Sequence, residues 1–196
     1  MYDYTDKVIR WMKKRFIRLF SQYKSQNSFD ELNVLQSSKK LYQQLLEIVK
    51  EGLLMIARRA YVDNGGKSPN TINEQWLDEF LEEYDPVTKY VFNHEVERKC
   101  ARFAESVIAS NNPSKEIETA LRYWSNMVSQ YAITATDKAV EKAYRENDVT
   151  QVMWITYEDE RRCKECGKRH RKVYDIDKVP PKPHLGCRCF IKTHLG

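Results

Sequence analysis

Seven of the nine cysteine and histidine residues fall within the last 34 positions of this 196-residue chain. Cys163 and Cys166 are separated by two residues, and His170 follows. A second group reads His184-Leu-Gly-Cys187-Arg-Cys189, with His194 beyond it. Thiolate and imidazole are the ligands zinc prefers, and two compact ligand pairs at this offset have the spacing of a structural zinc site. The cluster divides the sequence into a long body and a small metal-stapled tail.

Five residues compete for four tetrahedral positions. Cys163, Cys166, His184 and Cys187 form the preferred set, with Cys189 the substitute for His184. His184-x-x-Cys187 repeats the offset of the first pair. Cys187-x-Cys189 would also serve, because side chains two apart on a strand face the same side. His170, in a basic run, is less well placed. Gly167, directly after Cys166, is expected to give the turn a positive φ. Pro180-Pro181-Lys182-Pro183 is pre-extended and would deliver the second pair with little entropy left to lose. An ion saturated by these ligands lacks the open position that catalysis needs, and neither Glu165 nor Asp159 sits in a metalloenzyme motif. Zinc would contribute on the order of 10 kcal/mol to folding so small a unit.

The preceding residues read as helices. Val8, Ile9, Met12, Phe16, Leu19, Phe20 and Tyr23 recur at three- and four-residue spacing, with Lys7, Arg10, Lys13, Lys14 and Arg18 on the opposite face. Such a helix either packs in a core, lies on a membrane or meets an acidic partner. Residues 24–36 are polar and read as a loop. Leu41, Leu45, Val49, Leu53, Ile56 and Ala60 form a second stripe that ends at Asn64-Gly65-Gly66, a C-cap signal. Residues 67–70 read as a surface loop. Thr71-x-x-Glu74 resembles a capping box for a short helix around Trp76, Leu77, Phe80 and Leu81. Asp85-Pro86 and Asn112-Pro113 each look like an N-cap followed by proline at the first helical position. The first would open a helix to about Ser110 through Tyr90, Val91, His94 and Cys100, with His94 and Cys100 as packing residues. The second would open a long helix to about Asn147. Its stripe turns from bulky residues to Ala135, Ala139 and Ala143, so that end should meet a closely packed neighbour, expected to be the tail.

Residues 149–157 are β-branched and aromatic and read as a strand. Residues 173–174 and 188–192 are possible further strands. The expected fold is mainly α: a multi-helix body over residues 1–147, whose long helix packs on a small α+β zinc-knuckle module over residues 148–196.

Charge is uneven. Residues 161–196 hold eleven basic and three acidic side chains, whereas the first 160 residues are slightly acidic overall. A basic tail suits an anionic partner, such as nucleic acid or an acidic protein face. Arg161, Arg162, Lys168, Arg169, Arg171 and Lys172 are the candidates to face DNA. The longest apolar run is five residues, far short of a membrane span. The polar N-terminus does not read as a signal peptide, so a cytosolic, reducing setting is expected, which favours metal over disulfide.

The run Trp154-Ile-Thr156-Tyr-Glu-Asp159-Glu-Arg-Arg-Cys163-x-x-Cys166, then prolines, then His184-Leu-Gly-Cys187-Arg188-Cys189, resembles the C-terminal signature of Mu F-like phage minor head proteins. These are also called phage head morphogenesis proteins. The resemblance covers roughly residues 115–192. It departs in two places. Leu185 stands where the family has proline, and Ala135-Thr136-Asp137 replaces an Arg-Thr-Glu triplet. The resemblance implies a non-enzymatic virion component, made in the host cytoplasm. It would sit at the head interior or portal vertex, with portal, major capsid or scaffolding protein and packaged double-stranded DNA as partners. It leaves Thr136 and Asp137 a polar role beside the tail, and Asp159 a hydrogen bond to the knuckle. The alternative is a zinc-ribbon nucleic-acid-binding protein, although no recognition helix is evident. An enzyme is the third class, and no nucleophile elbow, phosphate loop or metalloprotease helix supports it.

Overall fold

The computed structural model describes residues 3–26, 29–88, 96–159, 162–183 and 187–194. The first strong helical stripe becomes α1 (Asp3–Gln26), which buries Val8, Ile9, Met12, Phe16, Phe20 and Tyr23. Next comes α2 (Glu31–Asp63), capped by Asp30, whose carboxylate accepts the Asn33 N–H at 3.0 Å. The expected loop over residues 24–36 is therefore corrected: residues 24–26 belong to α1 and 31–36 to α2. The polar look of this stretch hid a core stripe, because Ser38 occupies a buried position and its hydroxyl lies 2.9 Å from that of Tyr23.

At the other end of α2, Asn64 is the C-cap and Gly65 takes φ +97°. Left-handed backbone of this kind favours glycine. Residues 67–70 lead into a 3-10 turn at Pro69–Thr71. The next helix, α3 (Glu74–Thr88), is capped by Asn73, which accepts the Trp76 N–H at 3.0 Å, so the Thr71 capping box is corrected to an Asn73 cap. Asp85-Pro86 lies inside α3 and opens no new helix. A proline there forgoes one backbone hydrogen bond to the preceding turn. Helix α4 (Val96–Ala109) follows. Tyr90, Val91 and His94 lie outside the described residues.

The long helix α5 (Pro113–Glu146) runs between Asn112, which accepts the Lys115 N–H at 3.2 Å, and the C-cap Asn147. Helices α1, α2 and α5 pack pairwise, with α4 against α2 and α5. Their shared core is strongly aromatic. Trp124 meets Phe16 and Tyr42 edge-on at centroid distances of 6.0 and 5.4 Å, and Phe103 meets Phe20, Tyr23 and Tyr42. Each such side chain, once fully buried, contributes roughly 1.5–3 kcal/mol. Cys100 packs against the edge of this core, where burial pushes its thiol up to about 11. Gly52 makes room for the Met12 side chain between α1 and α2, since a Cβ there would lie 2.3 Å from Met12 Sδ.

After α5 the chain forms a three-stranded antiparallel sheet, β1 (Gln151–Ile155), β2 (Val173–Asp175) and β3 (Phe190–Thr193), in the order β2-β1-β3. A short helix, α6 (Lys164–Arg169), lies between β1 and β2. Burial alternates along β1, with Val152 and Trp154 inward and Gln151 exposed. Val152 and Ile176 join Ala139, Val140 and Ala143 of α5 and Ala57, Ala60 and Tyr61 of α2 in one apolar cluster. The small-residue end of α5 thus accommodates α2 as well as the sheet.

Candidate metal centre

Strand β1 aims two side chains at the same place. Trp154 and Thr156 are both buried, while Ile155 between them is half-exposed. Trp154 packs with Cys166, Cys187 and Cys189. The Thr156 hydroxyl donates to the Cys166 carbonyl at 3.0 Å and lies 3.3 Å from Cys189 Sγ. The thiols of Cys166, Cys187 and Cys189 all lie within 4.8 Å of one another, all three residues are buried, and Cys166 Sγ is 3.4 Å from Cys187 Sγ.

Cys163 lies beside this group, its Sγ outside the 4.8 Å spacing that the other three share. It is the N-cap of α6, and its Sγ accepts the Cys166 N–H at 3.3 Å. It is less buried and packs on the edge of the other three. The Cys-x-x-Cys pair is therefore the first turn of a helix. This corrects the expectation for Gly167, which lies within α6 and has no positive φ. Helical backbone already brings the two sulfurs together. Cys187 and Cys189 arrive from the segment before β3, two apart and on the same side, with Arg188 between them turned outward.

All five cysteines are thiols. Burial first, and then the crowding of neighbouring thiols, pushes the Cys166 thiol well above its ordinary range. Burial likewise raises Cys187. Such a cluster resists ionising by itself but suits a cation that neutralises the thiolates. Tetrahedral thiolate sites place sulfurs about 3.8 Å apart, so small adjustments would close Cys166, Cys187 and Cys189 on an ion. The cluster of Cys163, Cys166, Cys187 and Cys189 could hold a metal ion.

His184 lies outside the described residues. His170 is engaged elsewhere: its Nδ1 accepts the Thr156 N–H at 3.1 Å, and its Nε2 faces Glu158 at 3.8 Å. Asp159 holds Arg188 through both carboxylate oxygens, at 2.7 and 2.6 Å, and so braces the Cys187–Cys189 segment. Thr136 is buried and faces α1, bonding the Ala132 carbonyl and the Thr5 hydroxyl, whereas Asp137 does reach the C-terminal segment.

One arrangement escaped the sequence reading. Lys182 pairs with Asp137 of α5 and donates to the Cys187 carbonyl at 3.0 Å. The proline arm is thereby pinned to the long helix on one side and to the cysteine segment on the other. The available signal was a lysine flanked by Pro181 and Pro183, whose backbone has little freedom to lose.

The six candidate DNA-facing residues separate. Arg162 pairs with Glu158 at 3.6 Å and Lys168 with Glu165 at 2.7 Å. Arg169 donates to the Pro181 carbonyl at 2.6 Å and lies 5.1 Å over the Trp154 ring. Arg171 and Lys172 are exposed. Arg161 lies outside the described residues.

Among the described residues, no helix is long and apolar enough to cross a membrane. Comparison with protein-family models, curated proteins and solved structures gives no match.

Proposed function

We propose that the chain is a non-enzymatic minor capsid protein of the phage head morphogenesis type, with a structural zinc ion held by Cys163, Cys166, Cys187 and Cys189. The helical body would bind portal and capsid or scaffolding protein at the procapsid interior. The zinc would act as a clasp that fixes β1, α6 and β3 to one another. The observation that carries this reading is the convergence of separated parts of the resembling segment: Trp154, Thr156 and the cysteines of both pairs meet in one cluster. Zinc fits the donor set better than harder cations, because thiolate is a soft ligand. An all-sulfur, buried shell is the chemistry of a structural site rather than a catalytic one.

The chemistry left to the protein's own residues is therefore positional. Thr156 orients the Cys166 and Cys189 segments, Asp159 orients Arg188, and Lys182 ties Cys187 to α5. The test is co-expression with the portal protein encoded in the same genome, followed by size-exclusion chromatography and mass photometry. Co-elution with a portal oligomer is expected. A portal ring that assembles and elutes without this chain in every format would overturn the assignment.

A further inference from the structure

We propose that the outward face of α1 is a contact surface for the phosphate backbone of duplex nucleic acid. Arg10, Lys13, Lys14, Arg18 and Lys24 share one arc of about 140° with Ile17 and Ser21, counting about 100° per residue. They extend over about 21 Å of helix. The opposite arc carries Val8, Met12, Phe16, Phe20 and Tyr23, all in the core. The structure decides what that basic face can meet. A helix that lies on a membrane needs its apolar side for the bilayer, and here Met12 and Phe16 are fully buried beneath α2 and α5. None of the five cations has an acidic partner among the described residues. Their neighbours Lys7 and Arg15 differ, being paired with Asp3 and Glu51. Glu47 lies on the flank near Arg18, and Asp3 and Asp6 precede Arg10 on the same arc, so the five cations outnumber the carboxylates around them.

Composition distinguishes the remaining partners. Protein interfaces are depleted in lysine and built around buried aromatic anchors. Three of these five cations are lysines, and Ile17 is the one large apolar side chain exposed among them. Single-stranded nucleic acid is held by stacking on aromatic rings, and this arc carries none. A row of unpaired cations without apolar or aromatic anchors suits the evenly charged backbone of a duplex, read without regard to sequence. On the C-terminal segment, by contrast, Arg162, Lys168 and Arg169 are already engaged. The inference stands apart from the head-protein reading, since such binding is measurable whatever assembly the chain serves.

The test is fluorescence anisotropy of the full chain with short DNA duplexes of two unrelated sequences, from about 50 to 200 mM salt. Comparable affinity for both duplexes and a steep salt dependence are expected. Combining Arg10→Gln, Lys14→Gln and Arg18→Gln should weaken binding about tenfold or more, and flatten the log–log salt slope by about 2.7, or 0.9 per phosphate contact. Combining Arg171→Gln with Lys172→Gln should leave binding within about twofold. Circular dichroism checks folding, and single Lys14→Glu, expected to weaken binding too, serves if the triple variant misfolds. Wild-type affinity in the α1 variants would overturn the proposal. So would a loss confined to the Arg171/Lys172 variant, or equal binding to single strands or phosphatidylserine vesicles.

Discussion

Lys182 bridges Asp137, toward the C-terminal end of α5, and the backbone carbonyl of Cys187, in the cysteine cluster. Both charged side chains are about three-quarters shielded from water, at 23% and 24% exposure. A pair this sheltered is worth more than an exposed one, because water screens its charges less. Lys182→Met should lower stability by about 1–2 kcal/mol, and Asp137→Asn by a similar amount. Urea denaturation of both single variants and the double variant checks this. The two losses should be strongly non-additive, because each single change breaks the same contact.

Gly52 supports a prediction of opposite sign to helix propensity. Alanine normally stabilises a helix interior by about 1 kcal/mol over glycine. Here the added methyl would lie 2.3 Å from Met12 Sδ and 2.8 Å from its Cγ, in a fully buried contact. Gly52→Ala should therefore destabilise by about 1–3 kcal/mol, the cost of overpacking. Adding Met12→Ala should remove the clash, so the double variant should be more stable than the sum of the single losses implies. Thermal melts of the four proteins read this directly.

A third prediction concerns pH. The Glu146 carboxyl is held below its ordinary range, first by the Tyr61 hydroxyl and then by Lys142. A depressed carboxyl contributes stability that is present above its unfolded pKa and is lost as pH falls through the folded value. Tyr61→Phe removes the main cause, so Glu146 should titrate closer to an ordinary glutamate. Carbon-detected NMR titration of the side-chain carboxyl is the check. An unchanged midpoint in Tyr61→Phe would assign the shift to Lys142 instead.

What the sequence made legible were features with local causes. Asn112 and Pro113 act on the first turn they adjoin, so the start of α5 could be read from them. Likewise Asn64 and Gly65 close α2 within one turn. The apolar stripe of α1 was visible because its core positions are nearly all apolar. The start of α2 was obscure for the converse reason: buried Ser38 is polar, and only its partner Tyr23, on another helix, makes that position tolerable. Thr71 offered capping chemistry, but the cap is Asn73, the residue directly before the helix.

At the cysteine cluster, residue types and spacing were enough to mark the sulfurs. They left open how Cys189 stood to the other ligands, because that depends on the register of β3 against β1, where Ile191 faces Trp154. The basic tail was misleading too. Charge is countable in sequence, but Arg162 and Lys168 are engaged by Glu158 and Glu165, four and three residues away, once the local backbone turns. The Lys182–Asp137 contact spans α5 and the proline arm, and no local pattern encodes it.

The most direct measurement is the metal content and sulfur coordination of the full-length protein purified under reducing conditions. Zinc should be present at about one ion per chain, with X-ray absorption showing sulfur neighbours near 2.3 Å. Cys166→Ser and Cys189→Ser should each lose most of it, while His184→Ala should keep it. Full zinc in Cys166→Ser, or no metal bound by the reduced wild-type protein, would contradict a sulfur-held clasp.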